Sequence, residues 1–213
     1  AALDAAEADN PQDIVIDLLG DATLDITAWS RTKNPLAIGT ESTKSITING
    51  NNHTLTFNQK NSDWNNVATM NDAETKLILN DMALTSSGYN NGPWNRHDIN
   101  FNCAVELNNV TSDKALAFKN DATLKNVTVT DTSGSLYGIW IQPNVQNVSI
   151  DGLTVTAERG IKIDDQYVDN PEQVTMSIAN ATFNTTKKSA ILVKSAAETV
   201  ITAGEGINID NDS

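Results

Sequence analysis

One phrase recurs along the chain and leaves few folds open: an apolar residue, two small or turn-forming residues, then alternating apolar and Thr positions. It reads Ile48-Asn49-Gly50, Leu79-Asn80-Asp81-Met82, Leu107-Asn108-Asn109-Val110-Thr111, Leu124-Lys125-Asn126-Val127-Thr128-Val129, Ile150-Asp151-Gly152-Leu153-Thr154-Val155 and Ile178-Ala179-Asn180-Ala181-Thr182-Phe183. The third position is always Gly, Asp or Asn, the residues that accept a positive φ most readily. One backbone corner built six times is the simplest cause.

A second phrase follows the first in the later copies. Leu116-Ala117-Phe118-Lys119, Ile139-Trp140-Ile141-Gln142, Ile161-Lys162-Ile163-Asp164 and Ile191-Leu192-Val193-Lys194 align, with Ile207-Asn208-Ile209-Asp210 as a fifth copy; successive copies are 23, 22, 30 and 16 residues apart. Periods in the twenties made of strands, with no amphipathic helices between them, mark a β-solenoid. Blades of a propeller would be longer, and the leucine-rich frame is absent. The expected fold is therefore all-β, a single-stranded right-handed parallel β-helix over residues 13–213. Residues 1–12 favour a short capping helix on propensity, stopped by Pro11. Further coils or domains are expected beyond it in a full-length protein.

Composition agrees with this reading. Asn and Thr each supply roughly one residue in eight or nine, the former suited to tight turns and the latter to strands. Net charge is −13 with only three arginines, Arg31, Arg96 and Arg159. Such a field repels phosphate backbones and anionic membrane surfaces, so nucleic acid and membrane insertion are not expected. Cations such as Ca²⁺ are compatible with it, although no cofactor is required. No apolar run approaches the ~20 residues of a membrane-spanning helix. Cys103 is the sole cysteine, which excludes an internal disulfide and a thiolate metal site; alternation places it with Phe101 and Val105 on a buried face.

The segment Ile46-Thr47-Ile48-Asn49-Gly50-Asn51-Asn52-His53-Thr54-Leu55 resembles the Thr-Ile-Asp-Gly-Asn-Gly-His-Thr-Leu opening of pectate-lyase-like β-helix domains. The closest likeness is to the pectate-lyase-like adhesive domains of bacterial cell-surface proteins, and as a pattern it covers residues 12 to 210. The resemblance implies an extracellular or cell-surface location. It does not choose between adhesion and catalysis, because both kinds of member share the scaffold.

Three groups of residues could carry chemistry. Alternation sends Ile139, Ile141, Ile161, Ile163, Ile191 and Val193 inward, so Ala117, Trp140, Lys162 and Leu192 form one outward row and Lys119, Gln142, Asp164 and Lys194 the next. An exposed Trp140 beside Gln142, Lys162, Asp164 and Lys194 would suit a sugar: a flat apolar ring with hydrogen-bonding groups around it. Equally, these residues could be plain cross-strand pairs. The second group is the excursion Thr85 to Asn100, whose Tyr89, Trp94, Arg96 and His97 could grip a glycan or fold onto the solenoid's flank. The third is Asp164-Asp165 with Asp169 nearby; paired carboxylates serve acid–base hydrolysis or hold a hard cation. Arg159, at the start of a rung, is the candidate base of a lyase. The resemblance weakens catalysis, since polygalacturonase-type hydrolases pair their Asp-Asp with Gly-His-Gly and Arg-Ile-Lys, and neither motif is present here.

The reading is a non-catalytic, monomeric, surface-presented solenoid that binds polysaccharide or host glycan. Two alternatives remain open on the sequence: a lyase or hydrolase of uronate-rich polymers, and a rigid spacer.

Overall fold

The computed structural model describes residues 13–25, 37–38, 44–58, 66–70, 75–87, 99–131, 137–142, 147–165, 171, 173–187, 190–195, 198–205, 207 and 209–211. They form strands and turns, with no helix among them, and they stack as a parallel β-solenoid. The expected capping helix, most of the Thr85–Asn100 excursion and Asp169 lie outside the described residues.

Two sheets make the walls. The long sheet stacks Asp13–Asp17, Ser45–Asn49, Lys76–Ser87, Ala104–Ser112, Ala122–Thr130, Asn147–Ala157, Val174–Thr185 and Thr199–Ala203 in that order. Ala22–Asp25 joins it through Thr54–Asn58, which pairs with the second half of Lys76–Ser87. The short sheet stacks Ala37–Ile38, Asn66–Met70, Ile99–Phe101, Leu116–Phe118, Ile139–Ile141, Ile161–Asp164, Ile191–Lys194 and Ile209–Asn211. Its register is the one the second phrase predicts, except at the last rung. There Ile209, not Ile207, stands over Ile191, a shift of two residues.

The corner is real, and it is milder than a turn. Asp81, Asn109, Asn126, Gly152 and Asn180 have φ of 52°, 53°, 53°, 80° and 51°, and the strand runs on through each of them. In the first copy the positive φ falls instead on Asn51 and Asn52, at 52° and 65°. Gly50 is needed there for its size: an added Cβ would lie 2.3 Å from the Met82 Cβ of the next rung.

Side chains at the corner bond from rung to rung. The Nδ2 of Asn49 donates to Asp17 Oδ1 (2.8 Å), Asn80 to Asn49 (2.9 Å) and Asn108 to Asn80 (2.9 Å). One position on, Asn109 donates to Asp81 (2.8 Å) and Asn126 to Asn109 (3.0 Å). Asn180 donates to Asp151 (2.7 Å). Each ladder lies at the corner.

The core is a set of stacked columns. Ile46, Leu77, Val105, Ala122, Val148 and Met176 lie in one register row, and Ile48, Leu79, Leu107, Leu124, Ile150 and Ile178 in the next; all are buried. From the short sheet, Leu116, Ile139, Ile161 and Ile191 close the opposite side, and Phe101 stacks on Phe118 at 5.7 Å. Burial of each such side chain contributes about 1.5–3 kcal/mol. Cys103 belongs to this core, and burial pushes its thiol up to about 12.

Candidate functional site

The predicted outward row Ala117, Trp140, Lys162, Leu192 is in register, preceded by Asn100. Its expected exposure is not observed. Trp140 is 4% exposed, Gln142 5%, Lys162 5% and Asp164 1%. The outer face of the short sheet is thus a second interior.

What closes it is partly visible. Tyr137 precedes the Ile139–Ile141 rung by two residues, and Arg159 stands at the equivalent point before the Ile161–Asp164 rung. Arg159 donates to the Tyr137 hydroxyl (2.6 Å) and lies 5.3 Å from the centre of its ring. The Lys162 ammonium sits 5.3 Å from the Tyr137 ring and 5.4 Å from the Trp140 ring, and it pairs with the Asp164 carboxylate. Trp140 Nε1 donates to the Asp164 carbonyl (3.4 Å). A desolvated cation between two aromatic faces and a carboxylate is strongly held. It gives Trp140 no open face on which a sugar could stack.

The remaining candidates on this side diverge. Asp165 is partly exposed, accepts from Ser195 Oγ (3.3 Å) and donates its N–H to the Lys194 carbonyl (3.4 Å). Asp164, its neighbour, is buried in the pair with Lys162. Arg159 is committed to Tyr137, and Lys194 is exposed beside Asp164 in register. Burial lowers the pKa of Lys119. Among the described residues no three His, Cys, Asp or Glu side chains converge as a metal ion would need. Tyr89, Trp94, Arg96 and His97 lie outside the described residues, as does Asp169.

The open surface is the outer face of the long sheet. Before the corner it carries Thr47, Ile78, Glu106, Thr123, Ser149 and Ser177 in one register row. Glu106 accepts from Lys76 (2.6 Å) and Lys125 (3.3 Å), and the Lys76 hydrogen bond above all holds its carboxyl down at about 2. After the corner two rows run in parallel. One reads Thr54, Ala83, Thr111, Thr128, Thr154, Thr182; the other contains Thr23, Thr56 and Thr85, then Thr130, Thr156 and Asn184. All are half-exposed or exposed.

No family model, curated protein or solved structure matches the chain. Thr at alternate positions is also what any strand prefers, so composition alone does not mark this surface. The usable signal is repetition: Thr-x-Thr recurs just past the corner at Thr54–Thr56, Thr128–Thr130 and Thr154–Thr156.

Proposed function

We propose that this chain is a non-catalytic, polysaccharide-binding β-solenoid of a secreted or surface-attached protein, akin to the pectate-lyase-like adhesive domains it resembles. The observation that carries the reading is the outer face of the long sheet. Hydroxyl side chains predominate on it, broken by the Lys76–Glu106–Lys125 network and by Ile78 and Ala83, and they are laid out at the strand spacing of ~4.8 Å in one direction. A polyhydroxyl polymer can make many shallow hydrogen bonds to such a surface, and affinity then grows with length. The closed Trp140–Lys162–Asp164 cluster supports the non-catalytic half of the reading, since Asp164 is buried and paired with Lys162.

The test is a broad array of polysaccharides and host glycans, probed with the intact chain, alongside a viscosity assay for polymer cleavage. Retention on at least one polysaccharide without loss of viscosity is expected. Absence of binding across the array refutes the proposal, and a falling viscosity would replace it with an enzyme. Trp140→Ala lowers stability while leaving the affinity of the folded fraction intact. Trp94→Ala measures the share of binding carried by segment 88–98.

A further inference from the structure

The two Thr rows past the corner differ from the rest of the same face. Before the corner, charged groups break the pattern: Lys76, Glu106 and Lys125 form one ion network. Past it, seven successive rungs present Thr23; Thr54 and Thr56; Ala83 and Thr85; Thr111; Thr128 and Thr130; Thr154 and Thr156; Thr182 and Asn184. Within a rung the two side chains are about 6.7 Å apart, and successive rungs are ~4.8 Å apart. The band is therefore two side chains wide and roughly 29 Å long by the same spacing.

Its chemistry is specific. A Thr side chain offers a hydroxyl that both donates and accepts, and a methyl group beside it. Its β-branch leaves few rotamers, so the hydroxyls are ordered before anything binds. Two acceptor-only groups interrupt the rows. Asp21 stands opposite Thr54, accepting its N–H at 2.8 Å, and Asp113 ends its rung next to Ser112, the partner of Leu84 and Val129. A carboxylate takes hydrogen bonds from sugar hydroxyls and repels another carboxylate.

We infer that this threonine band binds a neutral, extended β-linked polysaccharide lying along the stacking axis, with one sugar per rung. The inference rests on the glycan-binding reading and adds the place, the direction and the charge class of the ligand. The narrow, long shape fits one linear chain. The rung repeat is close to the length of one pyranose in an extended β-1,4 chain. Asp21, Asp113 and the chain's net charge of −13 weigh against uronate polymers.

The experiment is pull-down and isothermal titration of the intact chain with cellulose, chitin and their soluble oligosaccharides on one side, and polygalacturonate on the other. Neutral polymers should bind, with affinity rising at least tenfold from three sugars to six, and polygalacturonate should not. Thr128→Val with Thr154→Val keeps the β-branched shape and removes two hydroxyls; it should weaken binding about tenfold with an unchanged circular dichroism spectrum. Ser149→Lys with Ser177→Lys, before the corner on the same rungs, should weaken binding far less than the Val pair does. If polygalacturonate binds and the neutral polymers do not, the inference falls while the glycan-binding reading stands. If the Val pair binds normally and the Lys pair does not, the location is wrong. If nothing binds, both fall together.

Discussion

Glu106 stands half-buried between Lys76 and Lys125, and its carboxyl is lowered from 4.5 to about 2, chiefly by the Lys76 hydrogen bond. A depressed carboxylate stabilises the fold at pH above its unfolded value and loses that contribution as pH falls through its folded value. The loss therefore runs between about 4.5 and about 2. Exposed pairs of this kind contribute about 0.2–1 kcal/mol each. Glu106→Gln should cost about 1 kcal/mol at neutral pH, and urea titrations below pH 2 should show no difference from wild type. Lys162 is the opposite case, a charge inside. Lys162→Ala leaves the Asp164 carboxylate buried without its cation, a loss of about 3–5 kcal/mol. Pairing Lys162→Met with Asp164→Leu should recover most of that loss in the same denaturation measurement, because both charges leave together. Cys103, with its thiol raised to about 12, should resist alkylation at pH 8 until the chain unfolds. Raised acids protect only while protonated in the unfolded chain too, so this residue costs stability as pH climbs from 9 towards about 12.

At the scale of the element, the corner and the approach to each short rung are where the backbone is least forgiving. Gly152 holds φ at 80° with Asn126 Oδ1 2.6 Å from the place of a Cβ. Gly152→Ala should cost about 1–3 kcal/mol. Gly160 is tighter still, since its Cβ would fall 2.1 Å from the carbonyl oxygen of Ala190. Gly160→Ala should destabilise more than Gly152→Ala, and Gly20→Ala, with nothing within 4 Å, should be close to neutral in thermal melts. The corner was legible in the sequence because only a few residue types take positive φ cheaply, and five of six copies place it where expected. The second bend left a fainter trace: Ala115, Gly138, Gly160 and Ala190 each precede a short rung and pass their carbonyls to the rung before. Small residues occur for too many reasons to mark a bend without a structure.

Across the whole molecule, alternation in the sequence tells which side of a strand a residue takes and nothing about what lies over that side. Trp140, Lys162 and Asp164 were correctly placed outward of the solenoid core, yet Tyr137 and Arg159 come over them from the connecting segments. The two-residue slip at Ile209 escaped for a related reason: period two cannot distinguish shifts of two. Stability should follow the stacking. Ala104–Ser112, Ala122–Thr130 and Asn147–Ala157 are paired on both sides, whereas Asp13–Asp17 and Thr199–Ala203 each have one described partner. Coupling between neighbouring rungs then makes the centre the last part to open. Hydrogen–deuterium exchange should be slowest between residues 104 and 157 and quicken towards both outer strands; uniform exchange along the chain would contradict this.

The asparagine ladders carry one more consequence. Each begins on an aspartate, Asp17, Asp81 or Asp151, and every later member donates back towards it. An ionised carboxylate can only accept, so it can open such a sentence but never continue one. The coils are thus not interchangeable copies: they have a first word and a reading direction. Duplicating Asn80 or Asn109 in place would extend a ladder, while duplicating Asp81 above Asn109 would set two acceptors face to face. A chain that lengthens by repeating its coils can grow grammatically only away from the aspartate.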